Sequence, residues 1–144
     1  LIAYAHYLID NGDTATVKDS IWPLVKRDVG YVTDTWNQTG KLTISLTSWA
    51  VPGANIQPGF DLWEEVNGTS FFTLVAQHRS LIEGSAMAST VEDECPGCDT
   101  EAPKIRCLLK DMWNSGEGYM MADINNDQGR SNKGTNTFLA SIHS

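Results

Sequence analysis

Apolar side chains recur at helical spacing through most of this chain, and glycine, proline or clustered acids break the pattern between those stretches. Leu1-Ile2-Ala3-Tyr4-Ala5-His6-Tyr7-Leu8-Ile9 reads as the second half of a helix, stopped by Asp10-Asn11-Gly12-Asp13. Thr14 or Thr16 can cap a long helix to Trp36, with Val17, Ile21, Trp22, Leu24, Val25, Val29 and Val32 as its apolar side. Pro23 lies inside that run and should either begin a new helical segment or kink the old one. The spacing predicts another helix from Thr69 to about Val91. Phe72, Val75, Ala76 and Leu81 share its apolar region, while Gln77, His78 and Arg79 are polar. An acidic, cysteine-bearing loop, Glu92 to Glu101, follows. Pro103 can then open a third long helix through Trp113, burying Ile105, Leu108, Leu109 and Met112. Tyr119 to Asp123 is a short extended passage, Asn125 to Lys133 a polar loop, and Gly134 to Ser144 the start of a helix. The pattern is all-α, with the unusual residues in the loops.

The chain has 144 residues, enough for one small domain with its own core. Its 18 acids against 10 bases give a net charge of −8, which disfavours a nucleic-acid partner and an anionic membrane surface. No run approaches the roughly 18 apolar residues of a membrane span, so no membrane partner is expected. Leu1 follows no initiator methionine, and the first residues have neither the basic region nor the cleavage site of a signal peptide. Both ends fall within helical pattern, as expected of an internal fragment of a longer protein.

Cys95-Pro96-Gly97-Cys98 can close a small disulfide loop, leaving Cys107 to pair elsewhere. The same spacing serves redox or zinc sites. Zinc would need two further ligands, and neither His6 nor His78 has finger spacing. Glu92-Asp93-Glu94 ahead of Cys95 would raise a thiol pKa, the wrong direction for a nucleophile. A structural disulfide, free thiols and a metal stand in that order. Asn37-Gln38-Thr39 is a glycosylation sequon and fits a secreted, extracellular protein. Asn67-Gly68-Thr69 is formally a second, better suited to a buried or capping role. Asp123 and Asp127 with the asparagines between them lack the closing glutamate of a calcium loop. No metal or cofactor is expected.

One segment departs from the helical pattern. Lys41 to Ala50 alternates like a strand, and Val51 to Pro58 is punctuated by proline and glycine, as in a hairpin-like insertion or loop. Gly40-Lys41-Leu42 can also be encoded by GG-TAAG-TT, which contains a fungal-type splice donor. Ala54-Asn55 can encode the branch-point-like GCTAAC, and Pro58-Gly59 can encode CCAG-G. Removal within the codons of Gly40 and Gly59 restores one glycine and joins Asn37-Gln38-Thr39-Gly40 to Phe60-Asp61 in frame. Residues 41–59 are therefore expected to be a translated intron, without a selected fold.

The densest chemistry lies in Phe60-Asp61-Leu62-Trp63-Glu64-Glu65-Val66-Asn67-Gly68, which sets adjacent carboxylates and a tryptophan just ahead of a helix. Cleaving a sugar requires a carboxylic acid to protonate the glycosidic oxygen and an aromatic surface to hold the ring. Glu64 could otherwise serve only the helix dipole, and Trp63 could be plain core. His78 reads as a hydrogen-bonded core histidine, and Arg79 as the partner of Glu83 four residues on.

On this motif the chain resembles fungal glucoamylases, the inverting exo-acting glucosidases of glycoside hydrolase family 15. The resemblance runs through Leu8 to Gly12, Ile21 to Val25, Tyr31-Val32 and Trp36 to Gly40, then Asp61 to Gly84 almost unbroken. It continues through Cys95 to Cys98, Ala102-Pro103 and Asn136 to His143. The family pattern passes straight from Gly40 to Phe60, so the insertion is the main departure. The resemblance implies an (α/α)6 toroid of twelve helices in two rings, of which this chain would supply roughly one third. It implies Glu64 as general acid, Glu65 as a sugar-binding carboxylate, Asp61 as a charge tuning the acid, and Trp63 as part of the pocket. It also implies a glycan on Asn37, a Cys95–Cys98 disulfide, and a bond from Cys107 to a cysteine outside the chain. The general base would lie beyond Ser144, so the fragment itself is expected to be inactive. Implied partners are starch and maltooligosaccharides, with the parent a monomer. The alternatives are a non-catalytic carbohydrate-binding or structural helical protein, or another (α/α)6 glycosidase acting on a glucan such as trehalose.

Overall fold

The computed structural model describes residues 1–37, 68–124 and 133–143. Helix α1 (Ile2–Asp10) ends as expected at a polar turn, where Gly12 takes φ +80°. The short α2 (Thr14–Thr16) is capped by Asp13, whose carboxylate accepts from the Thr16 N–H at 3.1 Å, and not by either threonine. One π turn (Val17–Ile21) leads into α3 (Trp22–Thr35), with Pro23 in the first α turn after it. The wide turn adds a residue to the repeat and rotates the buried stripe. Within α3, Trp22, Val25 and Val29 share one face and are buried, whereas Leu24, expected inside, lies off that face and is 42 % exposed.

After β1 (Thr69–Ser70) comes α4 (Phe71–Thr90), and after the disulfide loop α5 (Cys98–Asp111). Two boundaries differ from the sequence pattern. Thr69 and Ser70 pair with a strand instead of opening the helix. Helix α5 starts five residues before Pro103, because Gly97 at φ +84° turns the chain and its carbonyl accepts from Thr100 and Glu101 at 3.2 and 2.9 Å. Pro103 thus lies inside the helix, and the carbonyl of the exposed Asp99 loses its helical donor to solvent. Ala76 also faces out, and Leu74, Val75, Leu81, Met87 and Ala88 carry the buried stripe of α4. The chain continues through β2 (Trp113–Asn114), β3 (Tyr119–Met120), β4 (Asp123–Ile124) and α6 (Thr135–His143).

Three contacts give the helix directions. The Phe71 N–H donates to the Ala122 carbonyl at 2.8 Å and the Met121 N–H to the Met112 carbonyl at 2.9 Å, so α4 begins where α5 ends. The two are antiparallel. A Cβ on Gly134 would lie 3.1 Å from Ala122 Cβ, so α6 begins beside the start of α4 and runs parallel to it. Helix α1 follows the same sense: its first residues share a pocket with Ser80, and His6 reaches Glu83 at 2.7 Å. Helices α1, α4 and α6 thus form one parallel layer with α3 and α5 packed outside it, a sector of an (α/α)6 toroid. The core between them holds Val17, Leu74, Leu81, Met87, Ile105 and Met112, each essentially sealed from solvent.

Gly97 joins α3 to this packing. A Cβ there would lie 3.2 Å from two Thr33 side-chain carbons, in a backbone region that L side chains avoid. Gly97→Ala is expected to destabilise the protein by about 1–2 kcal/mol, read as a lower urea midpoint. An unchanged midpoint would show that the turn tolerates a side chain.

Candidate functional site

The parallel layer presents one end at which α4 and α6 begin and α5 finishes. Two short antiparallel ladders close that end. In the first, Thr69 pairs with Ile124 and Ser70 with Asp123; in the second, Trp113 pairs with Met120 and Asn114 with Tyr119. The Asn114 carbonyl oxygen of the side chain accepts from the N–H groups of Gly116 and Glu117, both at 3.1 Å, and fixes the second turn. Thr69, Ser70, Asp123 and Asn136 are the buried polar residues among those described, and all four lie at this end. Gly68, also buried, links them directly to the acid-bearing stretch. The first turns of α4 and α6 direct free N–H groups toward this end, and the last carbonyls of α5 lie there too.

Asp61, Trp63, Glu64 and Glu65, named above as the chemical group, lie outside the described residues, as does the segment 41–59. Asn37 ends the described part of that side of the chain and is exposed, as a glycan attachment requires. Cys95 and Cys98 form a disulfide with a Cα separation of 5.6 Å, so in this state they are neither free thiols nor zinc ligands. Cys107 is a free, exposed thiol. Among the described residues no helix is long and apolar enough to cross a membrane.

Away from this end the titratable groups are structural. Glu83, on α4, accepts from His6 of α1 at 2.7 Å and pairs with Arg79, the partner its spacing predicted. The His6 hydrogen bond, with Arg79 adding to it, holds the Glu83 carboxyl below its ordinary range against the opposing effect of burial. Asp93 accepts from Lys26 at 2.8 Å, from the Trp22 indole at 2.6 Å and from the Glu94 N–H, and is likewise held low. Glu101 is lowered by Lys104 and then by the Trp36 indole, at 2.6 and 2.8 Å. His78 is half-buried, and burial first, then Arg106, lowers its pKa, so the ring is neutral near pH 7. Sequence spacing named the Arg79–Glu83 pair but not Lys104–Glu101, three residues apart, nor the bonds to His6, Trp22, Lys26 and Trp36, whose acid partners lie 65 to 77 positions away.

These depressed carboxylates release protons more readily folded than unfolded. Their stabilisation is therefore complete above the ordinary values, 4.5 for Glu and 3.8 for Asp, and is lost as pH falls below them. Glu83→Gln should destabilise the protein at pH 7, and its deficit against the unchanged protein should shrink from about pH 4.5 downward in urea titrations. A deficit constant with pH would mean that the charge on Glu83 contributes nothing.

Comparison with known proteins places this frame. Residues 52–144 match the glycosyl hydrolases family 15. The chain is 43 % identical over 143 residues to a glucoamylase of Neurospora crassa, covering 99 % of this chain and 19 % of that relative. It is 38 % identical to glucoamylase-1 of Arthroderma benhamiae, covering 99 % of this chain and 20 % of the relative. The solved structure of Hormoconis resinae glucoamylase superposes with a TM-score of 0.79 at 37 % identity, over 99 % of this chain and 20 % of that one. The chain therefore spans about a fifth of the length of the relatives it matches. With its all-helical sector and a family match that includes the acid-bearing stretch, the chain belongs to glycosyl hydrolases family 15.

Proposed function

We propose that the full-length protein containing this chain is an exo-acting, inverting glucan 1,4-α-glucosidase that releases terminal glucose from starch and maltooligosaccharides. The observation that carries this reading is the 43 % identity, across 99 % of the chain, to a protein named glucoamylase. Glu64 is the general acid. Its proton goes to the bridging oxygen as the bond from that oxygen to C1 breaks, and the leaving sugar departs as an alcohol. A base outside this chain takes a proton from water, whose oxygen bonds to C1 from the opposite face, across a carboxyl separation of about 6.5–9.5 Å. Asp61 and Glu65 are negative neighbours that raise the Glu64 pKa and keep it protonated before the step. Glu65 also takes hydrogen bonds from sugar hydroxyls, and the Trp63 indole covers an apolar ring face.

Five residues separate Glu64 from Thr69, a reach of at most about 18 Å, so the β1–β4 ladder tethers the acid to the end where α4 and α6 begin. The isolated chain lacks the base and leaves Tyr4, Tyr7, Tyr31 and Phe138 more than half exposed, and it is inactive alone. The exposed Asn37 sequon and the disulfide fit a secreted glycoprotein, monomeric as the parent. Residues 41–59 are a translated intron in this reading, and a mature transcript that keeps their codons would end that part of it.

Inversion makes the sharpest prediction. Proton NMR of soluble-starch hydrolysis by the full-length protein, in which reducing ends are scarce, should show β-glucose first, with α-glucose appearing only by mutarotation. Initial α-glucose would reject the mechanism, and cleavage of trehalose in preference to maltose would favour another glycosidase of the same fold.

A further inference from the structure

The segment from Asp93 to Glu101 is tied to α3 at both ends and in the middle. Asp93 accepts from the Trp22 indole at 2.6 Å and from Lys26 at 2.8 Å, and Glu101 accepts from the Trp36 indole at 2.8 Å. Between them Gly97 packs on Thr33, where a Cβ would lie 3.2 Å from two side-chain carbons. Trp22, Lys26, Thr33 and Trp36 follow one another at steps of four, seven and three residues, which set them on one stripe of the helix. The segment thus runs along the whole of α3, about 21 Å at 1.5 Å per residue. The Cys95–Cys98 disulfide lies at the middle of this strap. Cys98 is sealed in the core, whereas Cys95 is half-buried, its sulfur 3.4 Å from where a Cβ on Gly84 of α4 would be. One small ring therefore sits where α3, α4 and α5 meet, and it holds Asp93 and Glu101 at the spacing of the two indoles. Val25 and Val29 pack α3 on the core independently of the strap.

We propose that residues 93–101 form a redox-sensitive clasp, closed on α3 while Cys95 and Cys98 are bonded and opened by a dithiol reductant. A thiolate of the dithiol attacks the Cys95 sulfur, the more accessible of the two, and the S–S bond breaks with Cys98 leaving as a thiolate that takes a proton. The second thiol of the reductant then attacks its partner sulfur in the mixed disulfide and frees Cys95, which also gains a proton. The reductant leaves as a cyclic disulfide, so two electrons and two protons pass to the protein. With the ring open, Pro96 and Gly97 regain backbone freedom, and the strap no longer holds its two carboxylates at the spacing of the indoles. Helix α3 then loses its outer ties while its apolar packing stays in place. The clasp stands apart from the proton-donor assignment of Glu64.

The test is hydrogen exchange read by mass spectrometry on the full-length protein, with and without dithiothreitol under native conditions. Alkylation of Cys95 and Cys98 reports that the bond is reduced. Amides of α3 are expected to exchange about tenfold faster once the ring is open, with those of α4 within about threefold of the oxidised protein. Cys95→Ser combined with Cys98→Ser should exchange as the reduced protein does, and its α3 should no longer respond to the dithiol, which separates this ring from any other disulfide. If that variant does not fold, the reduced, unsubstituted protein decides alone. Exchange in α3 that stays at the oxidised rate after both cysteines are alkylated overturns the clasp. So does a rise of equal size in α4, which would be general loosening, and so does a bond that resists the dithiol in the folded protein.

Discussion

Glu64→Gln in the full-length protein should lower maltose hydrolysis by about 10²–10⁴-fold while leaving oligosaccharide binding nearly unchanged. Glutamine keeps the size and most of the hydrogen bonding of glutamic acid but has no proton to transfer. The loss therefore belongs in kcat, because the proton moves only in the transition state. The adjacent Glu65 does not substitute for it. Its place in the proposal is to bind sugar hydroxyls as an anion, and two neighbouring carboxylates held at different proton affinities divide the work between them. Unchanged turnover would reject the assignment. A rise in KM at constant kcat would make Glu64 a binding group.

Leu81→Ala carries the largest expected effect on stability, about 2–5 kcal/mol. Leu81 is 0 % exposed near the middle of α4, the helix against which α3, α5 and α6 all pack. Removing its branched end deletes contacts on several sides, and α3 already packs so closely on the flanking Gly84 that a Cβ there would lie 3.1 Å from Val29, which leaves little freedom for the helices to close the gap. Against a total stability of about 5–15 kcal/mol, a loss of that size should shift the urea midpoint well beyond experimental error. A shift corresponding to less than about 1 kcal/mol would mean that α4 is not the centre of the core.

The helices were legible because burial repeats along them. Val17, Ile21, Val25 and Val29 announce the outer helix, and Ile105 with Met112 the return helix, since one apolar face must meet the core. Features that depend on partners distant in sequence were not legible. Thr69 and Ser70 look like the start of a helix until Asp123 and Ile124, more than fifty residues later, pair with them. Pro103 looks like a helix start because the positive φ of Gly97, which starts the helix earlier, leaves no mark in periodicity. Leu24 was misplaced because an apolar residue next to Val25 reads as part of its face, whereas Trp22, Val25 and Val29 carry that face at three and four residue steps. At the candidate site the carboxylates were conspicuous as chemistry. The buried polar pair Ser70 and Asp123 was not, because the pattern sets Ser70 at the start of a helix and Asp123 at the end of a short extended passage, with nothing to bring them together.

The most direct measurement compares two substrates on Glu64→Gln in the full-length protein. The reducing-end glucose of maltose leaves as an alkoxide unless its bridging oxygen is protonated, whereas the fluoride of α-glucosyl fluoride departs as a stable anion without a proton donor. If Glu64 supplies the proton, the variant should hydrolyse α-glucosyl fluoride within about tenfold of the unchanged protein while maltose hydrolysis falls by about 10² or more. Equal losses on both substrates, or normal rates on both, would contradict the account.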